Sequence, residues 1–271
     1  MDITVVDRSA TLGDSPLHRA APASKLVASG FVIAAVVVTA DPLVMASVAF
    51  ALVGASAMLR LPLRSMLPLA LYPALFALIF AFAAANGPVT TALIVCKAVT
   101  AALTMVMLVF TTPYPQVFAA VQRVTPTIVG DALLLTYRSL FILAEKFSDL
   151  LRAVRLRAGV SARQPLRSAR ATTRALGGLL LYAIDLSQRD YDVLRLRGYE
   201  GGLRVSPQRS SAPGVDAAAI GFGLAALALA GAFRVLPLPG YSWVPALAGL
   251  IALGVGLLIG RNHTTKQRGA R

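Results

Sequence analysis

Cysteine is nearly missing from this sequence: among 271 residues there is only Cys96, set inside an apolar run. A disulfide framework or a thiolate metal cluster needs several such residues, so neither can be built. Histidine is almost as scarce. His18 and His263 lie near opposite ends with no carboxylate or thiol cluster at ligand spacing, so no metal site and no cofactor are expected on this chain. Charge is the third shortage: charged residues are 14% of the chain against 57% hydrophobic, and mean hydropathy is +0.72. A soluble domain carries about 25% charged residues, so the balance implies an integral membrane protein instead. Among the charges, acids are the rarer, 12 against 26 Lys and Arg, giving a net +14. The sequence also lacks a Gly-x-x-x-x-Gly-Lys-Ser/Thr loop, which excludes ATP binding by that route. The run Gly221-Phe222-Gly223-Leu224-Ala225-Ala226 imitates a dinucleotide fingerprint but sits in an apolar stretch with no strand ahead of it.

What the chain has in abundance is long apolar runs. The lead-in, 1–25, carries Asp2, Asp7 and Asp14 among its bases and is too polar to resemble a secretory signal, so it reads as cytoplasmic. From 26 to 59 only Asp41-Pro42 interrupts the apolar sequence. That is too long for one span of about 20 residues, so it reads as a tight pair, 26–40 and 43–59. Arg60 and Arg64 mark a basic loop before a third span, 67–85; Asn86-Gly87-Pro88 turns the chain into a fourth, 89–110. Two further spans, 217–233 and 243–259, precede a basic tail, 261–271. In the last of them Gly256 and Gly260 have the spacing that lets membrane helices approach closely. The fold class is therefore all-α and polytopic, about six transmembrane helices. A four-span bundle (26–112) and a final pair (215–260) enclose a charged segment, 113–214. Lys97, near the middle of the fourth span, costs roughly 2.5–3.5 kcal/mol if it sits at the bilayer centre. It either snorkels or pairs within the bundle, or it orders the bundle against a moving neighbour.

The segment 113–214 holds 15 Lys and Arg against 7 Asp and Glu, with apolar residues at helical spacing instead of in runs. Leu133, Tyr137, Leu140, Ala144, Phe147, Leu151 and Val154 follow steps of three and four. Asp131, Arg138, Glu145, Lys146, Asp149 and Arg152 occupy the rest of that helix. A second helix, about 171–196, repeats the design with Leu176, Leu180, Ala183, Leu186, Val193 and Leu194, after a basic connector, 161–168. Six spans place both termini, the loop 60–65, the charged segment and the tail on one side, and these hold nearly all the bases. Positive residues prefer the cytoplasm, so that side faces inward, as in a multi-pass protein of the inner (plasma) membrane.

Both long helices end alike, in Arg155-Leu156-Arg157-Ala158-Gly159 and Arg195-Leu196-Arg197-Gly198-Tyr199, 40 positions apart. Arginines two apart point in different directions, so only one of each pair enters a partner's groove. Arg157 and Arg197 are favoured because a small residue, Ala158 or Gly198, follows each, and a helix C-terminus suits a cation. Residue chemistry alone favours solvated helix ends or lipid-headgroup contacts. The repetition on successive helices is what a two-point docking plug requires.

With these repeats in view, the chain resembles the transmembrane T component of energy-coupling factor (ECF) transporters, importers of the ABC type, nearest to the CbiQ-like cobalt/nickel branch. The hallmark there is a pair of Ala-Arg-Gly-like motifs ending two cytoplasmic coupling helices. The counterparts here are Leu156-Arg157-Ala158 and Leu196-Arg197-Gly198, with Leu in place of the first Ala in each and Ala in place of Gly in the first. Ser15-Pro16-Leu17-His18-Arg19 with Pro22 and Lys25-Leu26, the basic Lys97, Tyr137-Arg138 and Arg197-Gly198-Tyr199-Glu200-Gly201 extend the resemblance over 7–202. It implies a non-catalytic subunit. Two cytoplasmic ABC ATPase subunits would each seat one motif arginine, Arg157 or Arg197, with Arg155 and Arg195 in support. A separate membrane protein, the S component, would capture the cargo: cobalt or nickel, or else a vitamin or other micronutrient. Two other readings remain open at this point. A stand-alone secondary transporter could use Lys97, Arg138 and Asp131 along a pathway, but it predicts related halves, and spans one to four show no similarity to five and six. A nucleic-acid or lipid-binding module is opposed by the interspersed acids and the sparse aromatics of the connector, so no nucleic-acid partner is expected.

Overall fold

A computed structural model describes residues 15, 17–59, 61, 63–84, 87–122, 125–158, 165–203, 213–235 and 244–255; of these, residues 63, 64, 155, 157, 158, 165–168 and 171 are described in backbone only. Among the described residues every regular element is a helix: α1 Pro22–Val38, α2 Pro42–Met58, α3 Leu63–Ala84, α4 Pro88–Thr111, α5 Tyr114–Val121, α6 Thr127–Ala158, α7 Pro165–Leu196, α8 Pro213–Val235 and α9 Val244–Val255. The chain is an all-α polytopic membrane protein. Proline opens α1, α2 and α4 within their first two positions, where its missing N–H has no intrahelical partner to lose. Two compact units result, residues 1–117 with 208–271, and residues 118–207.

In the first unit α1 and α8 run side by side in the same direction. Asp216 at the start of α8 accepts from Ala21 N–H at 2.8 Å and from Ser24 Oγ at 2.7 Å. Midway, a Cβ on Gly223 would lie 2.8 Å from Ala28 O, and at the far end Arg234 donates to Val38 O at 3.4 Å. Helix α4 runs the other way, because Lys25 Nζ reaches Thr111 O at 2.9 Å and Lys97 Nζ reaches Val37 O at 3.5 Å. His18 joins the first of these ends: Nδ1 shares a hydrogen bond with Ser15 Oγ, 2.6 Å, and Nε2 with Phe110 O, 3.1 Å. Hydrocarbon offers no water to the last carbonyls of a helix, and a cation there also offsets the helix dipole. His18 and Lys25 thus close α4, and Lys97 and Arg234 close α1.

Lys97 lies nine residues after Pro88 but level with the end of α1. A 17-residue helix rises only about 25 Å, so α1 stops short and brings its turn to the lysine. Val32, Val36, Met45, Val48, Leu52, Leu103, Val106 and Phe110 form the centre of the bundle. Leu71, Tyr72, Phe76, Ile79, Phe80 and Phe82 of α3 stay exposed, a lipid-facing surface. Because Lys25 is buried and its ammonium is held by Thr111 O, Lys25→Met is expected to cost about 1–3 kcal/mol. A fall in melting temperature in detergent checks this; an unchanged value would show that Thr111 O is satisfied without the lysine.

In the second unit α6 and α7 pack in opposite directions: Lys146 stands 5.2 Å over the Tyr182 ring, while Asp131 near the start of α6 meets Tyr199 just past the end of α7. Asp185 and Arg189, one turn apart on α7, form an ion pair exposed on both sides, and such pairs contribute little. Helix α7 begins at Pro165, inside the stretch that sequence reads as a connector, since proline at the first helical position is already set for the helix. Helix α5 was not anticipated; eight residues are too few to show a period.

By length and composition four described helices suffice to cross a membrane, Ser65–Ala84, Pro88–Thr111, Thr127–Val154 and Pro213–Val235, and Pro22–Val38, Pro42–Met58 and Val244–Val255 are shorter apolar helices. The Gly256 and Gly260 spacing lies outside the described residues. Gly221 to Ala226 is helical, and its Gly223 abuts α1, so the dinucleotide imitation is a packing site.

Candidate functional site

Each basic repeat closes one of the two long helices. In the second, Arg195 and Leu196 are the last helical residues, and Gly198 adopts φ +73°, the left-handed turn that glycine reaches without strain. Gly198 N–H then bonds to Arg195 O at 3.1 Å and Tyr199 N–H to Leu194 O at 3.0 Å, the two bonds of a Schellman ending. Arg197 sits at the turn itself, exposed, its N–H shared between Val193 O and Leu194 O at 3.1 Å each. Arg195 is exposed as well. In the first repeat, Arg155, Arg157 and Ala158 are on the last turn of α6 in backbone, and Gly159 lies outside the described residues.

A second likeness appears only in the structure. Leu156 is 85% exposed and Leu196 87%, so each helix end presents a bare leucine beside its arginines. An apolar side chain held out at a helix end next to a cation matches the anchor-and-charge makeup of protein interfaces. The two ends are far apart. Tyr199 touches Asp131 at the start of α6, and α6 rises roughly 39 Å from there to Arg157.

Asp131, named from the sequence only as a pathway charge of the stand-alone transporter reading, is the most enclosed charge among the described residues of this unit, 2% exposed. Its carboxylate accepts from Tyr199 Oη at 2.5 Å, Gly202 N–H at 3.0 Å, Leu203 N–H at 2.8 Å and Gln122 Nε2 at 3.0 Å. Gln122 also donates to Leu203 O at 3.3 Å. Gly130 leaves room for it, since a Cβ there would fall 2.4 Å from Gln122 Cγ. Gly201 and Gly202, at φ +95° and +114°, curl the chain back onto α6. Tyr199, Gly202 and Leu203 are 68 to 72 positions from Asp131, so no local periodicity reveals them; the Gly201-Gly202 pair was the available signal. Arg138 stands exposed on α6 and takes no part in the cluster.

The hydrogen bond donated to Asp131 raises the Tyr199 pKa above the ordinary tyrosine value. Its stabilising effect is complete below the unfolded value of about 10 and is lost as pH rises through the higher folded value. A difference titration of the wild type against Tyr199→Phe should show one tyrosine ionising above the ordinary value; one ionising at or below it would count against the bond.

The large cavity of the first unit, about 490 Å³, is lined by apolar residues of α1, α2, α4 and α8 such as Val32, Leu52, Met107 and Phe222; among the described residues Lys25 is its only charge, and no carboxylate, imidazole or thiol lines it. Among the described residues no three His, Cys, Asp or Glu cluster at metal-binding distance.

Residues 13–208 match the profile of the family described as cobalt transport protein, CbiQ. The chain belongs to the CbiQ family. The cobalt transport protein CbiQ of Rhodobacter capsulatus is 30% identical over 232 residues, 78% of this chain and 91% of that protein. This member of the CbiQ family is therefore a multi-pass membrane component of cobalt transport. The matched region contains both basic repeats and the Asp131 cluster.

Proposed function

We propose that this CbiQ-family chain is the transmembrane coupling (T) subunit of an ECF-type ABC importer for cobalt, and that it passes ATP-driven motion from two cytoplasmic ATPase subunits to a substrate-binding S component. The observation that carries the reading is the pair of like helix ends, each with exposed leucine and paired arginines, at opposite ends of one helical hairpin. A separation of roughly 40 Å suits one contact on each of two ATPases rather than two on one. Arg157 and Arg197 are the docking residues, with Arg155 and Arg195 beside them and Leu156, Leu196, Ala158 and Gly198 shaping the contact.

The direction of the membrane helices supports a cytoplasmic place for the hairpin. Because α1 and α8 are parallel, the chain between them makes an odd number of crossings, and α2, α3 and α4 supply three. If α6 crossed, α7 would have to cross back, and α7 carries Arg170, Arg174, Asp185, Arg189, Asp190 and Asp192. Such charges are expensive in hydrocarbon, so α6 and α7 lie outside it together. The bases of this segment then face the cytoplasm of an inner-membrane protein with both termini inside. Leu176, Leu180, Ile184 and Tyr191 remain exposed along α7, an apolar stripe suited to the S component. ATP hydrolysis belongs to the partners, and this subunit is not an enzyme.

Reconstitution tests this. Proteoliposomes with this chain, its ATPases and the S component should take up cobalt on addition of ATP, and those with this chain alone should not. ATP-independent passage through the chain alone would overturn the reading.

A further inference from the structure

We infer that Asp131 is the positioning residue of the second docking point: it latches the segment that follows Arg197 onto the start of α6. The inference rests on the docking role proposed for Arg197. A helix end followed by a free loop would let Arg197 swing, because glycine at 198 leaves the backbone soft. The chain instead returns at once. Within six residues of Arg197, the Tyr199 hydroxyl and the Gly202 and Leu203 N–H groups all donate to one enclosed carboxylate, and Gln122 braces both Asp131 and Leu203 O. An ionised carboxylate makes the stronger class of hydrogen bond, and this one spends both oxygens on a single five-residue stretch, Tyr199 to Leu203, and its brace. The arginine is thereby held between the last turn of α7 and the start of α6.

The latch also has a mechanical consequence. A displacement applied at Arg197 moves the start of α6 as well as the end of α7, and α6 carries the first repeat at its other end. The two docking points are joined through one rigid pair of helices, so motion of either ATPase is felt by both.

The test uses the complex of this chain with its ATPase pair, in detergent, and compares Asp131→Ala, Asp131→Asn and Tyr199→Phe. Asp131→Ala should weaken ATPase capture about tenfold, since an ordered contact segment becomes one that must be ordered on binding. Tyr199→Phe, which keeps the ring and deletes one donor, should weaken it about threefold by the same reasoning. The decisive readout is additivity. Combined with Arg197→Glu, Asp131→Ala should add almost nothing, whereas combined with Arg157→Glu it should add its full factor. A merely structural role would penalise both combinations alike and overturn the inference. A nitroxide on Glu200→Cys, in a Cys96→Ser background, gives a second readout: its spectrum should be restrained in the parent and mobile with Asp131→Ala or Asp131→Asn. An unchanged spectrum overturns the inference even if Asp131→Ala fails to fold, because Asp131→Asn keeps the side chain's volume. Capture that ignores Arg197→Glu removes the docking role and this inference with it; capture weakened by Arg197→Glu but unchanged with Asp131→Ala removes this inference alone.

Discussion

Replacing Gly54 and Gly249 together with leucine should abolish the folded first unit. A Cβ on Gly54 would sit 2.5 Å from Ala252 O and 2.9 Å from Leu253 Cα, and one on Gly249 would sit 2.6 Å from Ser47 O and 2.7 Å from Ser47 Cα. Both obstacles are backbone, which cannot rotate away as a side chain can. Helices α2 and α9 must therefore separate. In a membrane that loss is not offset by burying apolar surface elsewhere, because lipid is as apolar as the helix it would replace, and close packing of small residues is what holds such helices together. Overpacking of one site costs about 1–3 kcal/mol, sometimes more. Two such sites on one interface exhaust much of a total stability of about 5–15 kcal/mol. Gly30→Leu is the control, since a Cβ there meets nothing within 4 Å. Melting curves and gel filtration in detergent should show the double variant aggregated or melting far below the parent, and Gly30→Leu unchanged. Equal behaviour of the two would mean that α2 and α9 do not rely on this approach.

The sequence was most informative where a property is local. Apolar runs bounded by Asp41-Pro42 and Asn86-Gly87-Pro88 mark α1 to α4 within a few residues, because proline stops or starts a helix wherever it stands. The period of Leu133, Tyr137, Leu140 and Ala144 marks α6, and the repeated arginines mark its end and that of α7. What the sequence did not reveal is set by partners distant in the chain. Lys97 looked like a charge in mid-membrane, and it takes the shortness of α1 to show that a helix end lies beside it. Asp131 looked like one acid among several on its helix or a pathway charge of a stand-alone transporter, although its four donors come from 122 and from 199–203. Gly54 and Gly249 had no visible motif, because their spacing matters only across two helices. In the proposed site the arginines and leucines were legible by repetition, while the bareness of Leu156 and Leu196 and the distance between the ends needed the hairpin.

Arg157→Glu with Arg197→Glu should abolish capture of the ATPase pair, and the single substitutions should not. Interface arginines are among the residues whose loss is costliest, about 2–4 kcal/mol each, and reversal of charge adds repulsion to the loss. The two contacts belong to one rigid hairpin, so while one holds, the other is presented to its ATPase at high effective concentration. A single reversal thus leaves one anchored subunit and should weaken capture by roughly tenfold to a hundredfold. With both reversed nothing anchors either subunit, and the loss should exceed about a thousandfold. Leu156→Ser with Leu196→Ser should act in the same direction without altering charge, and its effect should survive high salt, in which the arginine contribution fades. Arg189→Glu, an exposed change on α7 away from either end, serves as the control and should leave capture intact. Copurification from detergent with tagged ATPases reads all of these. Capture undiminished in the double arginine variant, with the membrane part still folded, would show that the basic helix ends serve the bilayer surface rather than a partner. Equal loss in the double variant and in either single would show instead that both ends engage one site, and a bridge between two ATPases would no longer be the shape of the interaction.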